Sequence, residues 1–194
     1  MESATFTPVI LRAATLFGTS PRMRFDLAIN QMVATARRDK RIEIRGGGTQ
    51  WRPFLHVADA ARAYADLLDL PNNALGAGIY NLGDDALNIQ IGTLAEEVAT
   101  LTGDVAVEQA TDDEDLRDFR VNFGHIKASL GFEPAHDLPS GIAELSTYID
   151  ALEAPPFSEP FFNAARMRSL RETPVEEGGD PIAARFVPLS RPNL

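Results

Sequence analysis

Apolar residues in this chain come in short runs whose spacing switches between the period of a strand and that of a helix. Residues 8–14 (Pro-Val-Ile-Leu-Arg-Ala-Ala) are a compact, β-branched run ending near Gly18 and Pro21, which predicts a buried strand. Residues 25–38 recur at helical spacing, with Leu27, Met32 and Val33 on one face. Residues 41–45 alternate, placing Ile42 and Ile44 on one side of a strand. Gly46, Gly47 and Gly48 predict a hairpin turn into a short extended segment at 51–57. Asp59 stands where an N-cap belongs, ahead of a helix over 60–70. A strand is predicted at 79–83, a helix at 91–102 stopping at Gly103, and a strand at 105–109. Residues 119–123 read as extended, 125–130 as a helix closed by Gly131, and 138–152 as the last helix. The alternation predicts an α/β fold.

Past residue 154 the pattern lapses. Seven of the 13 prolines fall in the last 40 residues, mixed with Glu177, Gly178, Gly179 and Asp180. Residues 1–154 are therefore expected to fold, and 155–194 to form a Pro-rich tail, extended or partly disordered. The 194 residues suffice for one ordinary core. No apolar run reaches the roughly 20 residues that span a bilayer, and the N-terminus lacks the pattern of a signal peptide. Cysteine is absent, which removes thiolate chemistry and suits a cytoplasmic protein. The net charge of −10 argues against general nucleic-acid binding.

Two expected signals of dinucleotide chemistry are missing. No three glycines have the spacing that brings a backbone against a pyrophosphate at a strand-to-helix turn. No Tyr precedes a Lys by four positions, the arrangement in which the ammonium lowers the phenol pKa for proton transfer. The lysines are Lys40 and Lys127, and the positions four before them are Ala36 and Phe123. The carboxylates at 112–115 read as a solvated acidic loop rather than a metal site. His56 reads as a structural histidine near a helix start, and His125 and His136 have no partner identified by spacing.

Four stretches nevertheless resemble one family in its own order and spacing. Residues 8–18 (Pro-Val-Ile-Leu-Arg-Ala-Ala-Thr-Leu-Phe-Gly) resemble the strand and loop that follow the catalytic helix in extended short-chain dehydrogenases, the NAD-dependent epimerases and dehydratases of sugar nucleotides. Residues 44–59 (Ile-Arg-Gly-Gly-Gly-Thr-Gln-Trp-Arg-Pro-Phe-Leu-His-Val-Ala-Asp) resemble their motif of a glycine turn, an arginine and a Val-x-Asp step into a helix. Residues 79–83 resemble the last strand of their main sheet. Residues 117–126 and 130–134 resemble the segment that closes the nucleotide pocket.

The resemblance implies the last strands of a Rossmann-like parallel sheet plus a small α/β substrate-binding domain. It implies that Arg52 and Arg117 face the diphosphate of a nucleotide sugar, where a planar guanidinium suits bidentate pairing, and that Asn81 lines the same pocket. Ala13, Ala14 and Thr15 would approach the nicotinamide of NAD or NADP. Asparagines common in the dehydratases at positions 15 and 16 are here Thr15 and Leu16. No catalytic residue and no metal ligand is assigned.

The expected function is the substrate-binding half of such an enzyme, with the cofactor fingerprint and Tyr/Lys pair on a partner chain. Two alternatives stand beside it: a non-catalytic nucleotide-sugar-binding or interaction module, and a sequence whose start lies inside a longer reading frame. For the chain by itself, the strands at 8–14 and 79–83 would belong to a parallel sheet whose other strands are absent, and their open edges imply a partner chain or homo-oligomer.

Overall fold

The computed structural model describes residues 8–70, 78–103, 105–110, 117–153, 155–158 and 161. The acidic loop at 112–115 and all but five residues of the 155–194 tail lie outside them. Seven strands and five α-helices are formed by the described residues: β1 (Val9–Ala13), β2 (Thr15–Phe17), α1 (Ala28–Asp39), β3 (Arg41–Ile44), β4 (Trp51–His56), α2 (Val57–Asp69), β5 (Gly78–Leu82), β6 (Asn88–Gln90), α3 (Ile91–Thr102), β7 (Ala106–Gln109), α4 (Gly124–Leu130) and α5 (Leu138–Asp150). Among them no helix is long and apolar enough to cross a membrane.

The strands form three small sheets. β1 pairs with β5 in parallel, β2 and β6 flank β4, and β3 pairs with β7 in parallel. β4 runs parallel to β2 and antiparallel to β6. The mixed α/β class read from the alternation is the one observed. The predicted hairpin at the three glycines is not: β3 and β4 belong to different sheets, and the partner of β3 lies more than sixty residues along the chain. Gly46, Gly47 and Gly48 instead form a one-turn 3-10 element with all three φ angles positive, at 65°, 76° and 79°. Three successive left-handed residues are within reach only of glycine.

Gly48 also backs onto Gly92 at the start of α3. A Cβ on Gly48 would lie 3.1 Å from Gly92 Cα, and a Cβ on Gly92 would lie 3.1 Å from Gly48 O. The backbones touch because neither carries a side chain.

β4 divides two apolar clusters, and its pleat explains how. Successive side chains of a strand point to opposite faces. Phe54 enters one cluster with Val33, Ile42, Leu94 and Leu145, while Leu55 enters the other with Tyr80, Leu82 and Ile126. In the larger cluster α1 packs against α3 and α5 and covers β3. Each fully buried Leu, Ile or Phe there contributes about 1.5–3 kcal/mol. Arg37 of α1 clamps Asp150 of α5 with two hydrogen bonds, Nε to Oδ1 at 3.0 Å and Nη2 to Oδ2.

The strand expected to be buried at 8–14 is not: Val9 and Leu11 are half-buried on one side, and the other side is exposed. Ile10 and Ile79, partners in the β1–β5 ladder, are 51% and 47% exposed. Parallel strands are normally covered on both faces, and among the described residues one face of this pair is open. Residues 119–123 form no ladder and no regular structure; the Phe119 N–H reaches Trp51 O on β4, while the Val121 and Phe123 N–H groups donate to Asn88 Oδ1 and Asp85 Oδ1.

Candidate functional site

β4 and the stretch at 117–120 lie against each other, and this contact brings two predicted residues together. The Trp51 N–H donates to Asp118 Oδ1 at 2.8 Å, and the Phe119 N–H donates to Trp51 O at 3.3 Å. Arg52 is buried at 6% exposure, and its Nη1 donates to the Trp51 carbonyl at 2.8 Å and to the Arg117 carbonyl. Its guanidinium lies over the Phe119 ring, 5.4 Å from the centroid, and Arg120 covers Trp51 at 4.2 Å. Such cation–aromatic contacts are worth about 0.5–2 kcal/mol each. Trp51 and Phe54 both serve packing here, as their apolar bulk predicts.

Arg117 lines an open cavity of about 470 Å³ between α1 and β3. Its walls follow from two periodicities. The strand alternation that turns Ile42 and Ile44 inward turns Arg41 and Glu43 outward, and Arg45 follows in step. Gln31, Thr35 and Asp39, four apart on α1, face them. Gln50 closes the inner end, its Nε2 donating to the Arg45 carbonyl at 2.6 Å while its Oε1 is buried without a hydrogen-bond partner. Arg41, Arg45 and Gln50 escaped the sequence reading, although the outward half of the β3 alternation carries the signal for the first two. Arg52 lines neither this cavity nor the second one, of about 270 Å³, beside Phe123 and Lys127.

The remaining predicted residues form a separate group. Asn81 of β5 donates from Nδ2 to the Asn122 carbonyl at 3.3 Å. Its ladder partner is Arg12, and the next pair joins Ala13 to Leu82. Ala13 is exposed, Ala14 and Thr15 are half-buried, and the Ala14 N–H donates to Leu82 O at 2.8 Å. Thr15 pairs with Phe54, two residues along β4 from Arg52, so β4 connects the groups.

A dinucleotide asks more than these residues supply. The glycine turn at 46–48 leads into a strand and is packed against Gly92, so it is no phosphate cradle at a helix start. The small residues at 13–15 offer one wall. The described residues do not make a complete cofactor site. Among them, no group of three or more His, Asp or Glu is placed to hold a metal.

Behind β4 sits a charged cluster. Asp59 is fully buried, in the first turn of α2 rather than at its cap. It accepts from the Ala135 and His136 N–H groups at 3.0 and 2.9 Å and from Arg62 at 3.1 Å, and lies 3.1 Å from His136 Nδ1. Burial pushes its carboxyl pKa up, but the Ala135 and His136 amides and Arg62 outweigh this and hold it below the usual range. The cap of α2 is His56, whose Nδ1 accepts from the Ala58 N–H at 3.3 Å. The expected N-cap at Asp59 is thus corrected by one turn's geometry: the helix starts at Val57, because the imidazole reaches the free amide first.

The comparisons agree with this architecture. Residues 1–83 match the family described as NAD dependent epimerase/dehydratase. MoeE5 in complex with UDP-glucose and NAD superposes with a TM-score of 0.63 at 25% identity, over 74% of this chain and 47% of that one. The dTDP-glucose 4,6-dehydratase of Bacillus anthracis str. Ames in complex with NAD gives 0.62 at 21%, over 81% and 47%. RMD from Pseudomonas aeruginosa complexed with NADPH gives 0.62 at 18%, over 74% and 48%. This chain spans about half the length of each of these structures.

Proposed function

We propose that this chain, whose first 83 residues carry the sequence of the NAD-dependent epimerase/dehydratase family, is the nucleotide-sugar-binding half of such an enzyme. The supporting observation is the cavity beside β3, where Arg41, Arg45 and Arg117 converge with the Gln50 amide at its inner end. Guanidinium groups there suit a diphosphate, and the carboxylates of Asp39 and Glu43 suit hydroxyl donors of a sugar or ribose. Arg117 meets the diphosphate. Arg52, which lines neither cavity, holds the Arg117 carbonyl and so fixes the stretch of backbone that carries Arg117. Asn81, Ala13, Ala14 and Thr15, which lie outside this cavity, would border the sugar and the nicotinamide ring on the β1–β5 side.

In this reading the chain binds and orients the substrate and excludes water. NAD or NADP, when bound, supplies hydride removal and return at the sugar. Residues outside the described chain hold the cofactor and exchange the proton. They dock on the open β1–β5 face, where Ile10 and Ile79 are exposed in register. A partner chain bearing the Tyr and Lys, or a longer polypeptide, satisfies the proposal equally.

Purification of the chain from its source cell, followed by mass measurement of what travels with it, tests the docking. Titration of that assembly with UDP-glucose and dTDP-glucose tests the pocket. Arg117→Ala is expected to weaken binding by about 1.5–3 kcal/mol, the worth of a charge-assisted contact, and Arg52→Ala to weaken it indirectly, by releasing the backbone that carries Arg117. Unchanged affinity in both variants removes the assigned site.

A further inference from the structure

The buried cluster behind β4 is not used by the proposed binding function, and its geometry carries a separate conclusion. His56 is 2% exposed. Two glycines seal its ring. A Cβ on Gly18 would lie 2.3 Å from His56 Nε2, and a Cβ on Gly141 would lie 3.2 Å from His56 Cδ2. Phe17 meets the ring edge-on at 5.2 Å. Because Nδ1 accepts the Ala58 N–H, the neutral ring carries its proton on Nε2.

The charged groups around it come from every element that packs there. From α5, Glu144 Oε2 lies 3.1 Å from Nε2, close enough for a charge contact though not aligned as a hydrogen bond. The same carboxylate accepts from the Thr19 N–H at 2.9 Å and from its hydroxyl. From the loop between α4 and α5, the His136 ring stacks on His56 with centroids 4.3 Å apart and planes 15° apart. From α2, Asp59 holds that loop and is itself held by Arg62.

We propose that His56 is an acid-sensitive latch, which at neutral pH caps α2 and stacks on His136, and on taking up a proton releases the helix start and the loop at 133–137. A protonated imidazole has no acceptor left. Its Nδ1–H would point at the Ala58 N–H, so the cap is lost where it was made. The new charge would sit 4.3 Å from the His136 ring, in a pocket closed to water. Asp59 and Glu144 oppose the release, but Glu144 is shared with Thr19 and Asp59 with the loop amides. Burial dominates the balance and lowers the His56 pKa below the ordinary imidazole value, with the Glu144 charge working against it.

The sign follows from linkage. The closed junction binds the proton less well than the open one, so closure is fully favourable above the ordinary histidine value of about 6.5 and weakens as the pH falls below it. Well below that value, one proton taken up on opening corresponds to about a tenfold change in the opening equilibrium per pH unit. This conclusion does not depend on the nucleotide-sugar reading, since no ligand enters it.

Hydrogen exchange read by mass spectrometry on the full chain, corrected for intrinsic rates, tests it. Protection of peptides covering 57–61 and 133–138 should fall about fivefold between roughly pH 6.5 and 5.5, while the α3 peptide keeps its protection. His56→Asn, whose amide oxygen still caps but does not titrate, should abolish the fall. The latch is overturned by a flat profile in the native chain, by the same fall in His56→Asn, or by a simultaneous loss in α3. Should His56→Asn not fold, deuterium exchange at the imidazole C2 positions decides in the native chain. The His56 midpoint must coincide with the loss of protection at 133–138, and a separate midpoint rejects the proposal.

Discussion

Gly18 stands at φ +102° with no room beside it, since an added methyl would lie 2.3 Å from His56 Nε2. Two costs therefore combine at one position: a left-handed backbone that L side chains resist, and displacement of a ring that caps a helix. Gly18→Ala should destabilise the chain by about 2–4 kcal/mol, read as a lowered urea midpoint at unchanged slope. A midpoint within error of the parent would show that the loop moves freely. Residues such as this one were half-legible. Gly18 marks a strand end in the sequence, but its true neighbour is 38 positions away and has no local signature. Asp59 shows the same thing. Its place before a helix is read correctly within a turn, while its work, holding the amides of 135 and 136, depends on a loop that spacing alone does not bring near.

Elements with strong period and a clear stop were read well. α3 ends at Thr102 with Gly103 in the left-handed region, and α4 ends at Leu130 with Gly131 doing the same, both as their glycines foretell. β2 and β6 were missed because three residues carry no period. The start of α1 was placed three residues early because Phe25 is buried from a turn, not from a helix. The other end of α1 holds a local conflict. Lys40 occupies the left-handed C-cap at φ 56°, a conformation that costs a β-carbon about 1–2 kcal/mol. Lys40→Gly should raise stability by about 0.5–1 kcal/mol, seen as a higher thermal midpoint. A lower midpoint would mean that the Lys40 side chain contributes more than its backbone costs.

At the scale of the whole molecule the exposed isoleucines carry a prediction for behaviour in solution. Ile10 and Ile79 face outward in register on a two-stranded parallel pair, a unit too small to be stable with one face wet. The chain by itself should therefore self-associate or bind a partner. Ile10→Lys with Ile79→Lys should shift the isolated chain toward monomer in sizing and abolish co-purification of the docking partner. A parent chain that is already a monomer with a cooperative melt would contradict the account. Sequence reading reached this point because an apolar β-branched strand without its neighbours implies an open face. It did not reach the cavity, whose walls are assembled from a helix, a strand and a loop that meet only after folding.

The contact between Gly48 and Gly92 has a mechanical consequence for that cavity. The turn leading to Gln50 rests directly on the first residues of α3, and the Ile91 N–H donates to Gln50 O at 3.0 Å. α3 is in turn wedged into the larger core through Leu94 and Val98, which are wholly enclosed. The inner rim of the cavity thus inherits the stiffness of the hydrophobic interior, with no compliant side chain between them to absorb a change. A change of shape at that rim requires repacking of the helix beneath it, so under the proposed function binding selectivity there would be coupled to fold stability.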